Sequence, residues 1–357
     1  MVFEVRRDDL HQTRFADAEP AELEDGQALL RVDSFGLTSN NITYAVFGDA
    51  MNYWDFFPAE SGWGRMPVWG FADVAASEHG ELEEGARVYG YFPPATELVI
   101  RPDRVSAAGF VDAAPHRAEL PAVYNGYQRI DADASYDAER EGAIILLRPL
   151  FVTSFLIDDF LDDAGHLGAG AVVLSSASSK TSLAAAYMLA ERDGVEVIGL
   201  TSPGNVAFAE RVGVYDEVIT YDSLSELPAA SAAYVDVSGD GAVREAVHEH
   251  YGDDLVHSAI VGATHWDRMA AGAAGELPGP EPILFFARDR VSARTADWGR
   301  DGLDARVAEA WKRYADWTDG WLEVVEGRGP EAVERVYCEV LDGDIDPAKG
   351  HVLSLQD

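Results

Sequence analysis

Short apolar runs alternate with helical runs in the middle of the chain, and this alternation constrains the fold more than any other feature. Buried strands separated by helices are typical of a parallel sheet flanked by helices. The predicted strands cover residues 172–174, 195–200, 217–220, 233–237, 258–261 and 283–287, and helices over 181–191 and 205–212 separate the first three. The sequence therefore predicts an α/β fold for this part.

The segments before and after this part have different residue patterns. In the first hundred residues, alternating or apolar β patterns are bounded by glycine and proline. These predicted strands cover residues 2–6, 28–35, 70–76 and 87–91. Near the other end, aromatic residues spaced three and four apart over 303–322 predict a helix whose aromatic face is core or a subunit contact. A helix over 331–341 and a strand over 351–355 are predicted to close the chain.

The junction after the first strand of the α/β part is rich in hydroxyl groups. Residues 175–182 read Ser-Ser-Ala-Ser-Ser-Lys-Thr-Ser and lead directly into a predicted helix. A helix N-terminus offers unpaired N–H groups and a positive dipole end to an anion, and the hydroxyls and lysine add donors. The sequence therefore predicts a phosphate-bearing ligand. An NTPase P-loop is discounted, because Ser179 and Leu174 stand where that motif requires glycine.

The charge balance is strongly acidic, with 63 acidic against 27 basic residues and a formal net charge of −36. Such a surface repels nucleic acid and anionic lipid, so neither is expected as a partner. Because the carboxylates are scattered through every segment, we favour a halophilic surface over an acidic docking face, and we expect unfolding in low salt. The apolar runs fall far short of the ~20 residues of a membrane span. With no signal-peptide pattern at the N-terminus, a soluble cytoplasmic protein is expected.

The sequence gives little support for a metal site or for a disulfide bond. The one cysteine, Cys338, excludes an intramolecular disulfide and a multi-cysteine zinc site. Residues 248–257 contain three histidines and several carboxylates, but residues two apart on a helix point to different faces. No metal site is expected.

The order of these parts, β-rich, then α/β, then a short C-terminal return, resembles the medium-chain dehydrogenase/reductase superfamily, especially its zinc-independent, quinone-reductase-like branch. More narrowly, the chain resembles the DUF2855 family in the stretches LTSNNITYAVFGD, PVWGFADV, RVYGYFPP, LLRPLFVTSFLIDDFL, SSASSKTS and GLTSPGNVAFAERVGVYDEVITYD. The resemblance covers nearly the whole chain. It implies a GroES-like β-rich catalytic domain over 1–148 and 291–357, and a Rossmann-type doubly wound parallel-sheet domain over 149–290.

The resemblance also implies a dinucleotide at the hydroxyl-rich junction. Superfamily members carry a glycine-rich loop there, and this chain departs from it, because serine permits neither the close backbone approach nor the unusual φ values of glycine as easily. The second strand ends at Thr201 and Ser202 without the acidic residue usual in NAD sites, so NADP(H) is expected. The residues expected to bind it are Thr153, Ser176, Ser178, Ser179, Lys180, Thr181, Ser202, Asn205 and Tyr221.

Catalytic zinc is not expected, because Thr38 stands where zinc-dependent relatives carry a cysteine. A reductase without zinc needs a donor for the oxygen that gains charge as hydride arrives. The candidates are Tyr44, Asn41 and Asn40, with Tyr44 preferred as the donor. Two structural alternatives stay open: Tyr44 packs with neighbouring aromatic rings, and the two asparagines form a turn.

The leading interpretation is a zinc-independent, NADP(H)-dependent oxidoreductase. It would transfer hydride to or from a small carbonyl, enone or quinone-like substrate held between the domains. The alternative is a non-catalytic NADP(H)-binding or sensor protein that kept the fold after losing its glycine loop. By analogy with the superfamily, a homodimer formed through the strand over 283–287 is expected. The sequence leaves the substrate and the direction of the reaction open.

Overall fold

A computed structural model describes residues 1–17, 22–262, 277–285 and 287–356. The chain divides into two compact units, Met1–Leu146 with Glu323–Asp357, and Leu147–Leu322. The first boundary lies close to the expected 148/149. The second lies at 322/323 instead of the expected 290/291, because the long helix before it belongs to the second unit, where its Tyr314 ring stacks on Phe151 at 5.0 Å.

Strands and α-helices are numbered separately, each in chain order. The strands are β1 Val2–Arg6, β2 Thr13–Ala16, β3 Ala28–Leu37, β4 Trp63–Gly64, β5 Val68–Ser77, β6 Arg87–Phe92, β7 Glu97–Ile100, β8 Pro102–Asp103, β9 Gly109–Asp112, β10 Gly126–Arg129, β11 Ala171–Leu174, β12 Glu196–Thr201, β13 Glu217–Thr220, β14 Ala232–Asp236, β15 Leu255–Ile260, β16 Ile283–Leu284, β17 Glu323–Arg328 and β18 Lys349–Ser354. The α-helices are α1 Ser39–Val46, α2 Glu141–Asp163, α3 Lys180–Leu189, α4 Val206–Arg211, α5 Gly241–Tyr251, α6 Ala287–Thr318 and α7 Pro330–Leu341.

The first unit is built from two mainly antiparallel sheets. One has the order β2-β1-β4, and the other has the order β17-β18-β3-β5-β6-β10-β9-β8, with β7 also paired to β3. In β3, Ala28, Leu30 and Val32 are buried, as expected when every second side chain faces the core. The predicted strands at the N-terminus, the helix over 331–341 and the final strand are confirmed. Strand β17 was missed by the sequence pattern.

The second unit contains one parallel sheet with the order β13-β12-β11-β14-β15-β16. Counted along this unit, the order is 3-2-1-4-5-6, which is that of doubly wound dinucleotide-binding sheets. The order reverses between β11 and β14, and such folds bind ligands at the carboxyl ends of the strands beside this switch point. The prediction of a strand over 283–287 was too long, because the strand ends at Leu284 and Ala287 already begins α6.

The helices α2 and α6 add to what the sequence predicted. Helix α2 was not predicted, since Pro149 stands inside it and proline usually ends or kinks a helix. The aromatic face of α6 is core: Trp311 and Tyr314 are 4% and 0% exposed. Among the residues with described positions, no helix is long and apolar enough to cross a membrane.

Candidate cofactor corner and tyrosine cluster

The loop after β11, residues 175–182, lies beside the switch point of the parallel sheet, and we call it the serine corner. Its first hydroxyl, that of Ser175, is fully buried. Ser175 Oγ donates to Asp236 Oδ1 at 2.9 Å and accepts from the backbone N–H groups of Val237 and Ser238, both at 2.9 Å. These three bonds join the carboxyl ends of β11 and β14. The Ser175 hydroxyl therefore has a structural role.

The buried carboxylate of Asp236 is the charged centre of this junction. Its Oδ1 also accepts from Ser238 Oγ at 2.8 Å and from the N–H of Gly239 at 2.9 Å. Its Oδ2 accepts from Arg244 Nη1 at 2.9 Å. Buried carboxylates need such partners to offset the loss of hydration. The Arg244 guanidinium thus compensates a negative charge that would otherwise oppose a phosphate nearby.

Two further hydroxyls of the serine corner fix the start of α3. Ser179 is the N-cap, and its Oγ accepts from the N–H of Ser182 at 3.2 Å. Ser182 Oγ donates to the carbonyl of Ser175 at 2.7 Å. Within the described part of the chain, the Ser178 hydroxyl makes no hydrogen bond. Lys180, half-buried, is the first residue of α3.

The segment of Thr153 and Ser154 lies against this helix start. Ser154, on α2, donates through Oγ to the carbonyl of Thr181 at 2.8 Å. Thr153, half-buried, precedes Ser154 on the same helix. The fold therefore brings the segment of Thr153 to the first turn of α3.

Ser176 adopts a backbone conformation that favours glycine. Its φ is +55°, in the left-handed region that side-chain-bearing residues rarely adopt. Its N–H donates to the hydroxyl of Tyr221 at 2.8 Å. The structure thus joins two predicted cofactor residues, Ser176 and Tyr221, to each other. This N–H already has an acceptor, in contrast to the bare backbone donors of a glycine-rich loop.

The serine corner also packs closely on the end of β12. The N–H of Ala177 donates to the carbonyl of Leu200 at 2.9 Å. A Cβ on Gly199 would lie 2.8 Å from the Cβ of Ala177, so the strand needs glycine at this point. Beyond it, Thr201 is buried, and Ser202 and Asn205 are half-buried in the following turn.

In donor chemistry the corner fits a dinucleotide phosphate. The N-terminus of the ten-residue α3, the Lys180 ammonium and the hydroxyls of Ser178 and Thr181 supply the donors that phosphate oxygens need. The corner departs from the glycine-rich pattern at Ser176, whose N–H bonds to Tyr221.

The first unit contains a second candidate region, which we call the tyrosine cluster: Tyr44, Tyr53, Tyr91, Tyr124 and Trp69. The ring centroids of Tyr44 and Tyr53 lie 4.7 Å apart, as do those of Tyr91 and Tyr124. Tyr44, on α1, is 6% exposed. The Tyr44 ring therefore packs in the aromatic core of this cluster.

The Tyr44 hydroxyl is a buried, neutral phenol. Its oxygen accepts from Trp69 Nε1 at 3.4 Å. Burial raises the pKa of Tyr44 to about 12, and the Trp69 N–H acts in the opposite direction because it stabilises the phenolate. An indole N–H is a donor only, so the phenol keeps its own proton for another acceptor.

The two asparagines at the start of α1 have different surroundings. Asn40 is half-buried one turn before Tyr44, so the two residues lie on the same face of α1. Asn41 is 3% exposed. Its Oδ1 accepts from the N–H of Thr38 at 2.8 Å, and its Nδ2 donates to the carbonyl of Pro67 at 2.9 Å. Asn41 therefore anchors the start of the helix, as in the structural alternative, while Asn40 accompanies Tyr44.

Sequence reasoning missed the partners of these residues more than the residues themselves. Asp236 is the last residue of the apolar strand β14, and a carboxylate at that position is a recognisable signal for a group at the switch point. The contact of Tyr124 with Tyr44 joins residues far apart in the sequence, and no local pattern announces it. In the histidine-rich stretch, His248 bonds to the Pro278 carbonyl and to Ser258 Oγ. Across the described ranges, no three His, Cys, Asp or Glu residues form a metal-ligand group.

Comparison with known proteins identifies solved structures with a similar fold. The chain is similar to CurA from Vibrio vulnificus in complex with NADPH (TM-score 0.60, 12% identity, 97% of this chain and 94% of that chain). It is similar to mycobacterial Rv1454c complexed with NADPH (0.55, 16%, 99% and 99%) and to the quinone oxidoreductase from Coxiella burnetii (0.54, 14%, 99% and 99%). Identities this low show the fold alone. No curated protein sequence matches the chain.

The expected fold class is confirmed, since these neighbours have the GroES-like and Rossmann-type fold of medium-chain dehydrogenases/reductases. The family model described as "Protein of unknown function (DUF2855)" matches residues 35–346. That match covers most of the sequence, and the chain belongs to the DUF2855 family.

Proposed function

We propose that this protein is a zinc-independent, NADP(H)-dependent oxidoreductase acting on a small carbonyl, enone or quinone-like substrate. One observation carries the proposal: the 3-2-1-4-5-6 sheet places a donor-rich strand-to-helix corner beside its switch point. The NADPH-bound structures of CurA and Rv1454c, which share the fold, support the choice of cofactor.

In this proposal the serine corner holds the pyrophosphate. The α3 N-terminus, Lys180 and the hydroxyls of Ser178 and Thr181 donate to phosphate oxygens, and Thr153 lies towards the nicotinamide. The turn after β12 accepts a 2′-phosphate, because Ser202 and Asn205 are uncharged donors and no carboxylate lies between Thr201 and Asn205. The other expected contacts, Ser176, Ser179 and Tyr221, shape the corner through their bonds to one another and to α3.

When bound, the cofactor supplies or accepts the hydride. The protein's own task is then to supply a proton to the oxygen or carbon that gains charge, and Tyr44 is the proposed donor. Its raised pKa keeps the phenol protonated at neutral pH, and the Trp69 N–H stabilises the phenolate formed after transfer. Asn40 orients the Tyr44 hydroxyl. Asn41 is left out of this set, because its amide is engaged with Thr38 and Pro67.

Cofactor titration followed by turnover tests this proposal. NADPH and NADH are titrated in concentrated KCl, and hydride transfer to a panel of enones and quinones is followed by the loss of NADPH absorbance. We expect NADPH to bind more tightly than NADH and at least one acceptor to be reduced. If neither nucleotide binds, the proposal fails.

A non-catalytic NADP(H) sensor is the second candidate. It is favoured by the bond between the Ser176 N–H and Tyr221 and by the structural use of the Ser175, Ser179 and Ser182 hydroxyls. Tight NADPH binding without hydride transfer to any acceptor of the panel would select this candidate.

We also propose the setting in which the protein works. The net charge of −36 suits a cytoplasm of high ionic strength, where screening weakens self-repulsion. A homodimer formed through the edge strand β16 is proposed, since Ile283 and Leu284 are 58% and 49% exposed there. Sedimentation in concentrated KCl, with an Ile283→Lys variant as comparison, tests the dimer.

A further inference from the structure

We propose that Tyr221 is a latch on the serine corner: its hydroxyl holds the Ser176 N–H and yields it to a phosphate oxygen when the dinucleotide binds. The inference rests on the proposed NADP(H) site and applies equally to the reductase and to the sensor. It gives the Tyr221 hydroxyl an effect opposite to that of a simple pyrophosphate contact, because its removal should strengthen binding through the pyrophosphate.

The acceptor of the Ser176 N–H differs from the acceptors of its neighbours in the loop. The N–H of Ala177 donates to the carbonyl of Leu200 at 2.9 Å, and the N–H of Ser179 donates to the carbonyl of Ser176 at 2.7 Å. Both acceptors belong to the backbone, so neither can leave without a change of the loop or of the strand. The Ser176 N–H donates at 2.8 Å to the Tyr221 phenol, which a side-chain rotation can withdraw. Of these three bonds, the bond to Tyr221 is therefore the one most easily exchanged for a bond to a ligand.

Tyr221 lies between the two places where phosphates are proposed to bind. It directly follows β13, whose last residue, Thr220, is paired with Thr201, the last residue of β12. Its backbone thus lies beside the turn of Ser202, while its hydroxyl reaches across the end of β12 to Ser176. Ligands of such sheets bind at the carboxyl ends of the strands. The Tyr221 phenol and a dinucleotide therefore compete for the same edge of the sheet.

The Ser176 N–H needs an acceptor with or without a ligand. Ser176 is 6% exposed, and a buried N–H group without a partner costs stability. Its φ of +55° is typical of loops that turn backbone N–H groups towards an anion. The Tyr221 hydroxyl satisfies this donor in the nucleotide-free protein, and a phosphate oxygen satisfies it in the complex. One bond thus stabilises the free protein and weakens nucleotide binding.

The charge of the ligand decides which acceptor wins. Burial raises the pKa of Tyr221, and the Ser176 N–H acts in the opposite direction, so the phenol is neutral at neutral pH. Hydrogen bonds to an ionised acceptor are roughly twice as strong as those between neutral groups. A pyrophosphate oxygen therefore displaces the phenol from the Ser176 N–H, whereas a neutral ligand gains nothing by doing so.

A second phenol bonded to the serine corner provides a matched control. Tyr215 is half-buried, and its hydroxyl donates to the carbonyl of Ala177 at 2.8 Å. A carbonyl offers no hydrogen bond to a phosphate, so Tyr215 does not compete with the ligand. Tyr221→Phe and Tyr215→Phe each remove one hydroxyl that is bonded to the corner, and both keep the ring. Only Tyr221→Phe takes the acceptor from the Ser176 N–H.

The first arm of the test measures affinity for NADH, which carries the pyrophosphate without a 2′-phosphate. Any contact between Tyr221 and a 2′-phosphate therefore does not enter the result. In concentrated KCl, we expect Tyr221→Phe to bind NADH about 3- to 10-fold more tightly than the wild type, the usual net contribution of one hydrogen bond. Tyr215→Phe should bind it no more tightly. Unchanged or weaker NADH binding in Tyr221→Phe overturns the latch, while NADPH binding by the wild type would still support the NADP(H) site.

The second arm observes the latch directly by NMR. The amide proton of Ser176 reports its acceptor. We expect its signal to differ between the wild type and Tyr221→Phe without nucleotide, and to coincide when NADPH saturates both proteins, because a phosphate oxygen is then the acceptor in each. Signals that agree without nucleotide would show that the bond is absent. Signals that differ equally with and without NADPH would show that the phenol never yields the N–H. Either result overturns the latch.

Stability should change in the opposite direction to NADH affinity. Nucleotide-free Tyr221→Phe should unfold at a lower denaturant concentration than the wild type, because the Ser176 N–H loses its acceptor. Loss of both stability and NADH affinity would make Tyr221 a structural residue and overturn the latch. Nucleotide binding by Tyr221→Phe alone would show a latch that stays closed in the wild type. If neither the wild type nor a variant binds NADPH or NADH, the NADP(H) site itself is refuted.

Discussion

The serine corner and the tyrosine cluster both concentrate hydroxyl groups, yet they use them differently. In the corner, Ser175, Ser179 and Ser182 direct their hydroxyls at the protein's own backbone and at Asp236. In the cluster, the Tyr44 oxygen accepts a long bond from Trp69 Nε1, at 3.4 Å, and the rings of Tyr53, Tyr91 and Tyr124 pack around it. The hydroxyls at the strand end thus stabilise the fold itself, whereas the Tyr44 phenol is held mainly by the packing of aromatic rings.

This difference shows that a hydroxyl-rich sequence does not by itself identify a ligand site. A loop rich in serine looks like a cradle for phosphate, but its local geometry has to be fixed by side chains because it lacks glycine. The proposed cofactor contacts therefore lie at the start of α3, at Ser178, Lys180 and Thr181. The cluster needs no such support, because the aromatic rings already hold one another in place.

Replacement of the Tyr44 phenol should produce the largest effect. In Tyr44→Phe we expect hydride transfer to slow by roughly 10²- to 10⁴-fold, the usual contribution of a general acid. The NADPH Kd should stay unchanged, because the cluster has no part in the proposed cofactor contacts. Single-turnover kinetics and a binding titration measure the two quantities. Equal losses of rate in Tyr44→Phe and Tyr91→Phe would mean that the cluster acts through packing alone.

The lysine of the serine corner should have the next largest effect, on cofactor affinity. Lys180→Met should weaken NADPH binding by about 10- to 100-fold, since a hydrogen bond to a charged group contributes about 1.5–3 kcal/mol. Lys312→Met, at an exposed position of α6, provides the matched control. Loss of affinity in both variants, or in neither, would remove Lys180 from the phosphate site.

Much of the fold could be predicted because its signals are local. The strands that became β11 to β15 are apolar runs with turns at their ends, and each was found within a few residues. Helix α2 was missed because Pro149 interrupts its pattern, and the second unit boundary was misplaced because the packing partners of α6, such as Phe151 and Tyr187, lie far away in the sequence.

The candidate site was predictable only in part, for the same reason. The corner and Tyr44 stand out in the sequence, but the sequence does not show which hydroxyls bond within the protein. Ser175 meets Asp236 and Ser176 meets Tyr221 only after the parallel strands align side by side. The asparagine pair was ambiguous until the contact between Asn41 and Pro67 was known.

The free energy of unfolding should distinguish the corner hydroxyls that bond within the protein from the hydroxyl of Ser178. Ser175→Ala removes a donor to Asp236 and the acceptor of the Ser238 N–H in a fully buried place. We expect the free energy of unfolding to fall by about 1–3 kcal/mol, the cost of leaving a buried polar group unsatisfied. Ser178→Ala should change it by less than about 0.5 kcal/mol. Denaturant titrations in concentrated KCl compare the two, and similar losses would contradict the division.

The smallest of these effects should be the loss of unfolding free energy at alkaline pH that comes from the buried Tyr44 phenol. The folded-state pKa of about 12 lies above the ordinary value of about 10, so the native protein keeps a proton that the unfolded chain has already lost. This contribution is fully present below the unfolded pKa and disappears as pH rises through the folded one. Phenylalanine at this position does not ionise. Between about pH 9 and 11, the unfolding free energy of Tyr44→Phe should therefore fall by about 1 kcal/mol less than that of the wild type. Parallel losses in the two proteins would show that the Tyr44 phenol ionises as freely in the native state as in the unfolded chain.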